Sequence, residues 1–468
     1  MNPPDSHRPL LWLVALGFFM QALDATILNT ALPSIARHLG ESPLRMESVV
    51  ISYMLTVALL MPASGWLADR FGVRRVYGLA ILTFTVGSLL CAESQHLWQL
   101  VLARVVQGLG GAMLLPVGRL AVLRVFPGDQ LVAALSFVTM PGLVGPLIGP
   151  VLGGWLVQVA SWHWIFLINL PIGLAGVWAV RRYMPALRAD THTPFDLPGY
   201  ALLGFSMVML SLGLQGLGEL GFARANAALL LIGGLATLVA YWLHAARASV
   251  PLFPLDLFRV ESFAVGVLGN LFARLGSGAM PFLLPLSLQL GLGYSPFAAG
   301  LTLMPVALAA ILMKTIVEKV LRQLGYRRVL IVNTLIVGGM IASFATLSRD
   351  TPVWWLALHL GIYGAFNSMQ FTAMNTLTLK DLTGRAASSG NSLLSMVMQL
   401  SISLGVASAA ALLSAFAKHF GPDDTLWVFR ATFLCVGAMG AIATLIFAQL
   451  GSTSPGEAAT VSATQTSR

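Results

Sequence analysis

Apolar residues come in runs of roughly 20, each bounded by charges, Pro or Gly. The runs fall near 10–32, 48–67, 76–93, 97–118, 132–158, 162–180, 197–216, 225–245, 262–290, 297–315, 328–347, 352–374, 390–414 and 425–449. A helix of about 20 apolar residues crosses a ~30 Å hydrocarbon core, and the pattern repeats along nearly the whole chain, so it predicts an all-α integral membrane protein with fourteen transmembrane helices. The first run follows Asp5, His7 and Arg8, lacks a small-residue cleavage site and contains Asp24, which marks a retained helix rather than a signal peptide. An even number of spans places both termini on one side. Most Lys and Arg fall on that side, apart from Arg37, Arg45, Arg224, Arg349 and Lys418 opposite and Arg104, Arg274 and Arg430 within spans. The positive-inside rule then makes both termini cytoplasmic. The tail, 451–468, is rich in Ser, Thr and Ala and has too little apolar surface to pack, so it is expected to be a disordered cytoplasmic tail.

A constant offset of 253 residues aligns Leu39-Gly40 with Leu292-Gly293, Ser42-Pro43 with Ser295-Pro296, Gly72 with Gly325, Arg74-Arg75 with Arg327-Arg328 and Gly111-Ala112 with Gly364-Ala365. A shared register across several helices predicts two related bundles flanking an insert. The expected organisation is a six-helix bundle at 1–185, two inserted helices with linkers at 186–255, and a second six-helix bundle at 256–450. Bundle repeats of this kind are a recurring transporter design, with the substrate site near the midplane between the halves.

Composition removes several alternatives. The chain has 468 residues, 57% hydrophobic and 10% charged, with a mean hydropathy of +0.81, which excludes a soluble globular protein. A net charge of +9 could suggest nucleic acid, but the basic residues are scattered between apolar runs rather than gathered on one helix or arm, so no nucleic-acid partner is expected. Cys91 and Cys435 are the only cysteines, both inside apolar runs, leaving no disulfide framework and no thiolate metal cluster. None of Lys314, Lys319, Lys380 and Lys418 follows a glycine, so there is no phosphate-binding GK[ST] loop and no nucleotide is expected. Without HExxH or paired deep histidines, neither an enzyme nor a metal or other cofactor is expected.

The chemistry-bearing residues stand out against this background. Asp24, in LDATILNTALP (Leu23 to Pro33), is the one acidic residue well inside a span. Placing a carboxylate at the bilayer centre costs about 2.5–3.5 kcal/mol on insertion scales, so it must face a wet cavity or a partner. It is a candidate proton site, or a structural hydrogen-bonding group with nearby Thr26 or Asn29. Arg104, in LVLARVVQGLGGAM (Leu100 to Met113), keeps its proton and needs acceptors; it is the natural counterpart of Asp24, as a coupling pair or as a fixed tie between helices. Gln107, one turn later, suits either reading. Between the second and third spans, GWLADRFGVRR (Gly65 to Arg75) reads as a short gating loop: Gly65 and Gly72 permit reversal, Asp69 can accept from backbone donors at a helix N-terminus, and Arg70, Arg74 and Arg75 can meet acidic groups or lipid phosphates. In the fifth span, GLVGPLIGPVLGGWL (Gly142 to Leu156), Gly145, Gly149 and Gly153 recur every four residues beside Gly154, with Pro146 and Pro150 interleaved. Such a helix suits a pivot or a close-packed seam.

These motifs together resemble the major facilitator superfamily, in its fourteen-span drug:proton antiporter branch. GWLADRFGVRR is similar to the superfamily's signature loop, with Val73 where a basic residue is usual. LVLARVVQGLGGA is similar to its fourth-helix motif, and GLVGPLIGPVLGG to the antiporter motif of the fifth helix, with an extra Pro150. WHWIFLINLPIG (Trp162 to Gly173) and QLGLGYSPFAAGLTLMP (Gln289 to Pro305) resemble fourteen-span members. SPLRMESVVISYMLTVALLMPASGWLAD (Ser42 to Asp69), MNTLTLKDL (Met374 to Leu382) and ASSGNSLLSM (Ala387 to Met396) resemble the MdtD group of candidate bacterial multidrug exporters. The resemblance implies a major facilitator fold and proton-driven export of small molecules across a bacterial inner membrane, with Asp24 and Arg104 in coupling roles and Asp69 in the gate. A monomer is the expected working unit.

Substrate charge stays open. Three arginines against one aspartate within the spans disfavour a desolvated cation and suit an anion or zwitterion, so organic acids or their metal chelates are an alternative cargo. Arg274, at the repeat position of Gln21, is the leading anion ligand, whereas Arg430, near a span end, can snorkel outward. Asn29, Asn270, Gln289, Asn367, Gln370, Asn375 and Gln399 are polar candidates for a substrate cavity. His359 reads as a satisfied core histidine or, less simply, a proton relay. Trp12, Trp98, Trp162, Trp164, Trp354 and Trp355 sit near span ends as interface anchors, and Phe272, Phe366 and Phe371 are the deeper aromatics available to a drug.

Overall fold

A computed structural model describes residues 8–126, 128–188, 194–218, 224–420 and 424–451. These are 87% helical, with no strand among the described residues. In chain order the helices are α1 (Arg8–Leu39), α2 (Glu47–Leu60), α3 (Ser64–Phe71), α4 (Val73–Ala92), α5 (Leu97–Val125), α6 (Gly128–Val159), α7 (Trp164–Leu167), α8 (Asn169–Tyr183), α9 (Leu197–Gly218) and α10 (Arg224–Ala245). The series continues with α11 (Glu261–Ser277), α12 (Met280–Leu286), α13 (Pro296–Leu324), α14 (Tyr326–Ser343), α15 (Val353–Leu379), α16 (Gly384–Phe420), α17 (Thr425–Ala441) and α18 (Ala443–Phe447). Four of the expected spans are compound: α2 runs through a 3-10 turn at Met61–Ala63 into α3, α7 meets α8, α12 ends in a π-helical turn at Ser287–Gly291, and α17 meets α18. Bent and broken helices are tolerated in a bilayer because neighbouring groups re-satisfy the freed backbone.

Among the described residues, thirteen spans are long and apolar enough to cross a membrane by length and composition. The fourteenth expected span is α15, whose 27 residues extend about 40 Å, but His359, Asn367, Ser368, Gln370 and Asn375 lower its hydropathy. A span this polar needs protein on several sides, and α15 buries His359, Ser368 and Gln370. Elsewhere Leu79, Leu229, Leu312 and Leu445 are exposed while Asp24, Arg104, Gln107 and Asn270 are buried, the distribution expected where lipid and not water is the solvent. Of the six tryptophans read as interface anchors, five are exposed. Trp162 is the exception: it is buried, stacked on His163 at 3.9 Å and edge-on to His38, because it lies in the connection before α7 and not on a helix face.

The chain folds into two compact units, Met1–Leu252 with Pro281–Met304, and Phe253–Met280 with Pro305–Arg468. In the first, the inserted helices α9 and α10 pack chiefly on each other through Gly213 against Leu231 and Gly234 against Leu210, with Ser206 Oγ donating to Gly234 O at 2.8 Å. The segment Pro281–Met304 joins this unit because Gly154 of α6 lies on the backbone of Pro296 and Phe297, and Gly300 on that of Pro150 and Val151.

The repeat is visible in the backbone. Among the described residues, those with positive φ are Gly40 (68°), Gly72 (88°), Gly293 (78°) and Gly325 (74°), which form two pairs at the sequence offset. Gly72 N donates to Ala68 O and Val76 N to Gly72 O; Gly325 N donates to Leu321 O and Val329 N to Gly325 O. Arg74 reaches the carbonyl of Arg181 near the end of α8, and Arg327 that of Ala448 just past α18, so each reversal is tied to the end of a later helix of its own unit. The tail at 452–468 lies outside the described residues.

Candidate functional site

The first unit holds a buried polar cluster within its spans. Asp24 comes from α1, and Arg104 and Gln107, one turn apart on the same face, from α5. Gly87 of α4 makes room for the α5 backbone: a Cβ there would meet Gln107 N and Cα at 2.5 Å. That approach brings the neighbouring Ser88 to Gln107. Arg104 Nη1 donates to Asp24 Oδ2 at 2.7 Å and to Gln107 Oε1 at 2.6 Å, while Gln107 Nε2 donates to Asp24 Oδ1 and to Ser88 Oγ at 2.7 and 2.8 Å. Arg104 Nε donates to Val49 O at 3.3 Å, its guanidinium lies 4.1 Å from the Tyr53 ring centre, and Asn169 of α8 donates to Ser88 at 3.2 Å. Asp24 is 1% exposed and Arg104 2%. Charges this deep persist only when paired and hydrogen-bonded, and here both carboxylate oxygens are occupied.

With Asp24 ionised, two charge-assisted bonds join α1 to α5. Apart from Asp24, Arg104 also has Gln107, the Val49 carbonyl and the Tyr53 face as partners. Asn29, also on α1, turns back on its own helix, donating to Ala25 O at 3.1 Å.

The stretch expected as a gating loop is nearly all helix. Gly65 to Phe71 belong to α3, α4 starts at Val73, and only Gly72 between them departs from helical geometry. Asp69 pairs with Arg124 at the end of α5, in place of the backbone donors expected for it. Arg70 lies over Trp66, 5.4 Å from the ring centre, Arg74 donates to Arg181 O, and Arg75 is exposed.

On α6, Gly145, Gly149 and Gly153 face α1. A Cβ at Gly145 would meet Leu23 N at 2.7 Å, one at Gly149 would press on Thr26 Oγ1, and one at Gly153 on Ile27 O. The closeness is sealed by hydrogen bonds, from Thr26 to Gly145 O at 3.3 Å and from Thr30 to Pro150 O at 3.2 Å. Pro146 points outward, and Pro150 and Gly154 face the start of α13. Gln289 Nε2 donates to Thr30 O at 2.9 Å, adding a third tie to this part of α1. The segment of α1 below Asp24 is thus gripped by the glycine helix.

In the second unit the polar candidates fall into separate groups. Arg274 Nε donates to Asn270 Oδ1 at 3.2 Å, its guanidinium lies 4.6 Å from the Phe371 ring centre, and its buried Nη2 has no hydrogen-bond partner among the described residues. Asn270 also donates to Gly266 O. Gln370 bridges Asn333 and Thr334 at 2.5 and 2.7 Å. His359 Nε2 lies 2.8 Å from Ser343 Oγ and its ring is tilted against Phe344, the arrangement of a satisfied core histidine. Asn367 and Gln399 are half-buried. Arg430 donates to Leu347 O at 3.1 Å and lies over Trp427. The repeat does not extend to the charged cluster: positions 277, 357 and 360, which match Asp24, Arg104 and Gln107, are Ser277, Ala357 and Leu360.

A model of the Major Facilitator Superfamily matches residues 14–406, and again 266–467. The chain belongs to the Major Facilitator Superfamily. "Putative multidrug resistance protein MdtD" of Salmonella heidelberg (strain SL476) is 52% identical over 452 residues, covering 96% of each chain. The protein of the same description from Serratia proteamaculans (strain 568) is 51% identical over 443 residues, 94% of this chain and 93% of its own. The solved structure of a peptide transporter, POT, in complex with sulfate shares the fold with a TM-score of 0.70 at 17% identity, covering 95% of each chain. This member of the superfamily is therefore a multi-span membrane transporter, a non-enzyme class that handles small-molecule substrates.

Sequence reasoning missed Ser88, Tyr53, Asn169 and Arg124. Asn169, in LINLPIG, carried a signal as an amide inside an apolar run; Ser88 and Tyr53 carried none, since both residue types are common in spans. Arg124, at the end of an apolar run, reads from sequence only as one of many charges at span ends.

Proposed function

We propose that the protein is a proton-coupled antiporter that exports small molecules, drugs among them, across the bacterial inner membrane by alternating access, with both termini cytoplasmic and the monomer as the working unit. The observation that carries this reading is the buried Asp24, ligated on one oxygen by Arg104 and on the other by Gln107. A carboxylate held this way gains or loses a proton only with rearrangement of its partners, which is what coupling requires. The glycine face of α6 on the same helix as Asp24 supports transmission of that rearrangement. Energetically one proton suffices: moving it down ~100 mV and one pH unit releases about 2.3 plus 1.36 kcal/mol, enough for a few-hundred-fold gradient of a neutral substrate. The test is transport by purified protein in proteoliposomes under an imposed pH gradient. Export driven by the gradient should be lost in Asp24→Asn; undiminished gradient-driven export by that variant refutes the proposal.

A second reading, export of anionic metabolites such as organic acids or their metal chelates, is favoured by the buried Arg274 Nη2, which has no hydrogen-bond partner among the described residues. Under this reading Arg274→Gln selectively weakens uptake of small carboxylates into inverted proteoliposomes and spares cationic dyes. Equal carboxylate transport by the variant eliminates it.

A further inference from the structure

A cavity of about 670 Å³ opens between α4 and α8 in the first unit, and its two ends differ in chemistry. One end is ringed by Arg74, Arg75, Arg181 and Arg188; the other is walled by apolar side chains that include Leu79 and Leu82, both exposed. None of the four arginines has an ion-pair partner among the described residues, and Arg74 spends one nitrogen on the Arg181 carbonyl. α4 also begins there with neither an acidic residue in its first turn nor a side-chain cap, so its amide end adds positive potential. Guanidinium groups recognise phosphate oxygens through paired N–H donors, and an apolar wall running from such a cluster along a span fits a hydrocarbon chain.

We propose that this cavity binds an anionic phospholipid of the leaflet on the arginine-rich side, its phosphate among the four arginines and an acyl chain along Leu79 and Leu82. The repeat supplies an internal comparison. Arg327 occupies the position that Arg74 holds in the first unit, but its cavity is about 190 Å³ and is lined also by Glu261, Lys380 and Asp381. There Arg327 donates to Ala448 O, Glu261 accepts from Gly451 N at 2.7 Å, and Lys380 lies 3.8 Å from Asp381. That site neutralises itself, whereas its counterpart holds four cations and no acid among the described residues. A lipid bound in the first cavity spans Gly72, the one non-helical residue between α3 and α4, and the strand of chain after α8, where Val73 N already donates to Leu187 O at 2.9 Å. Occupancy therefore strengthens the tie between the reversal and the sixth span.

The test uses the full chain purified in detergent and relipidated with phosphatidylglycerol or phosphatidylcholine, with bound lipid counted by native mass spectrometry and Tm followed alongside. Wild type and Arg327→Gln should retain phosphatidylglycerol in preference to phosphatidylcholine and gain Tm from it. The double variant Arg181→Gln/Arg188→Gln should bind it about thirtyfold more weakly, on the scale expected for removing two basic contacts. Arg188→Glu, at an exposed side chain, should weaken it in the same direction without loss of fold. Unchanged retention in both variants, equal retention of phosphatidylcholine, or displacement by inorganic phosphate at equal concentration overturns the proposal.

Discussion

Arg104 has four neighbours competing for one guanidinium: the Asp24 carboxylate, the Gln107 amide oxygen, the Val49 carbonyl and the Tyr53 ring. The asymmetry between the partners is informative. Neutralising Asp24 leaves Arg104 with polar acceptors, but removing Arg104 leaves a buried carboxylate with only Gln107 as donor. Arg104→Ala should therefore destabilise the protein by about 3–5 kcal/mol, while Asp24→Asn, which leaves Arg104 its neutral acceptors, should cost less. Thermal unfolding of the two purified variants in detergent checks this; equal losses would mean the pair is a symmetric structural tie. At this scale the sequence was readable where chemistry is rare. Asp24 and Arg104 declared themselves as charges in apolar runs, and Gln107 by its spacing from Arg104. Ser88 and Tyr53 did not, because their role depends on which face of another helix they meet.

For whole helices, small residues decide. α6 packs along α1 at backbone distance, and the substitutions that test this differ only in what a methyl group meets. At Gly153 it would strike the Ile27 carbonyl, which cannot move aside; at Gly142 the nearest atom, Phe18 Cβ, is 3.9 Å away, an ordinary contact. Gly153→Ala should cost about 1–3 kcal/mol and lower transport severalfold, and Gly142→Ala should be near neutral, in parallel unfolding and transport assays. If both behave alike, the α1–α6 seam is not limiting. The same reasoning applies to the pair Asp69–Arg124, which joins α3 to the end of α5. Asp69→Arg should impair transport, and the charge swap with Arg124→Asp should recover part of it; a swap no better than the single variant would argue that contact between the two side chains is not what matters. The four-residue glycine spacing was legible, but the partner helix was not, since spacing states only that something comes close.

Across the whole molecule the insert has its own anchorage. Asp196, just ahead of α9, accepts from Gly199 N at 3.0 Å, Leu252 N at 2.9 Å and His244 Nε2 at 2.7 Å, tying the start of α9 to the end of α10 and to the chain leaving the insert. Burial alone would raise its pKa, but these three donors outweigh burial and hold the carboxyl below its usual value. A carboxyl with a depressed folded pKa contributes stability that is complete above its unfolded value, near 4, and is lost as pH falls through the folded one. The Tm difference between wild type and Asp196→Ala should shrink as pH falls below about 4. A difference that does not shrink in that range would refute this account of the anchor.

What the sequence determined by itself follows from local physics. Span length answers to bilayer thickness, a buried charge is costly wherever it lies, and a reversal that needs positive φ selects glycine, so fourteen spans, Asp24 and Arg104, and the matched pairs Gly40 with Gly293 and Gly72 with Gly325 could all be read from residue order. Tertiary structure alone decided that Asp24 and Arg104 touch, that Asp69 meets Arg124, that Trp162 is buried, and that Arg74, Arg75, Arg181 and Arg188 surround one cavity. Those are contacts between helices far apart in the chain, set by which faces pack, and an apolar helix in lipid carries little in its own sequence to say which neighbour each face will meet.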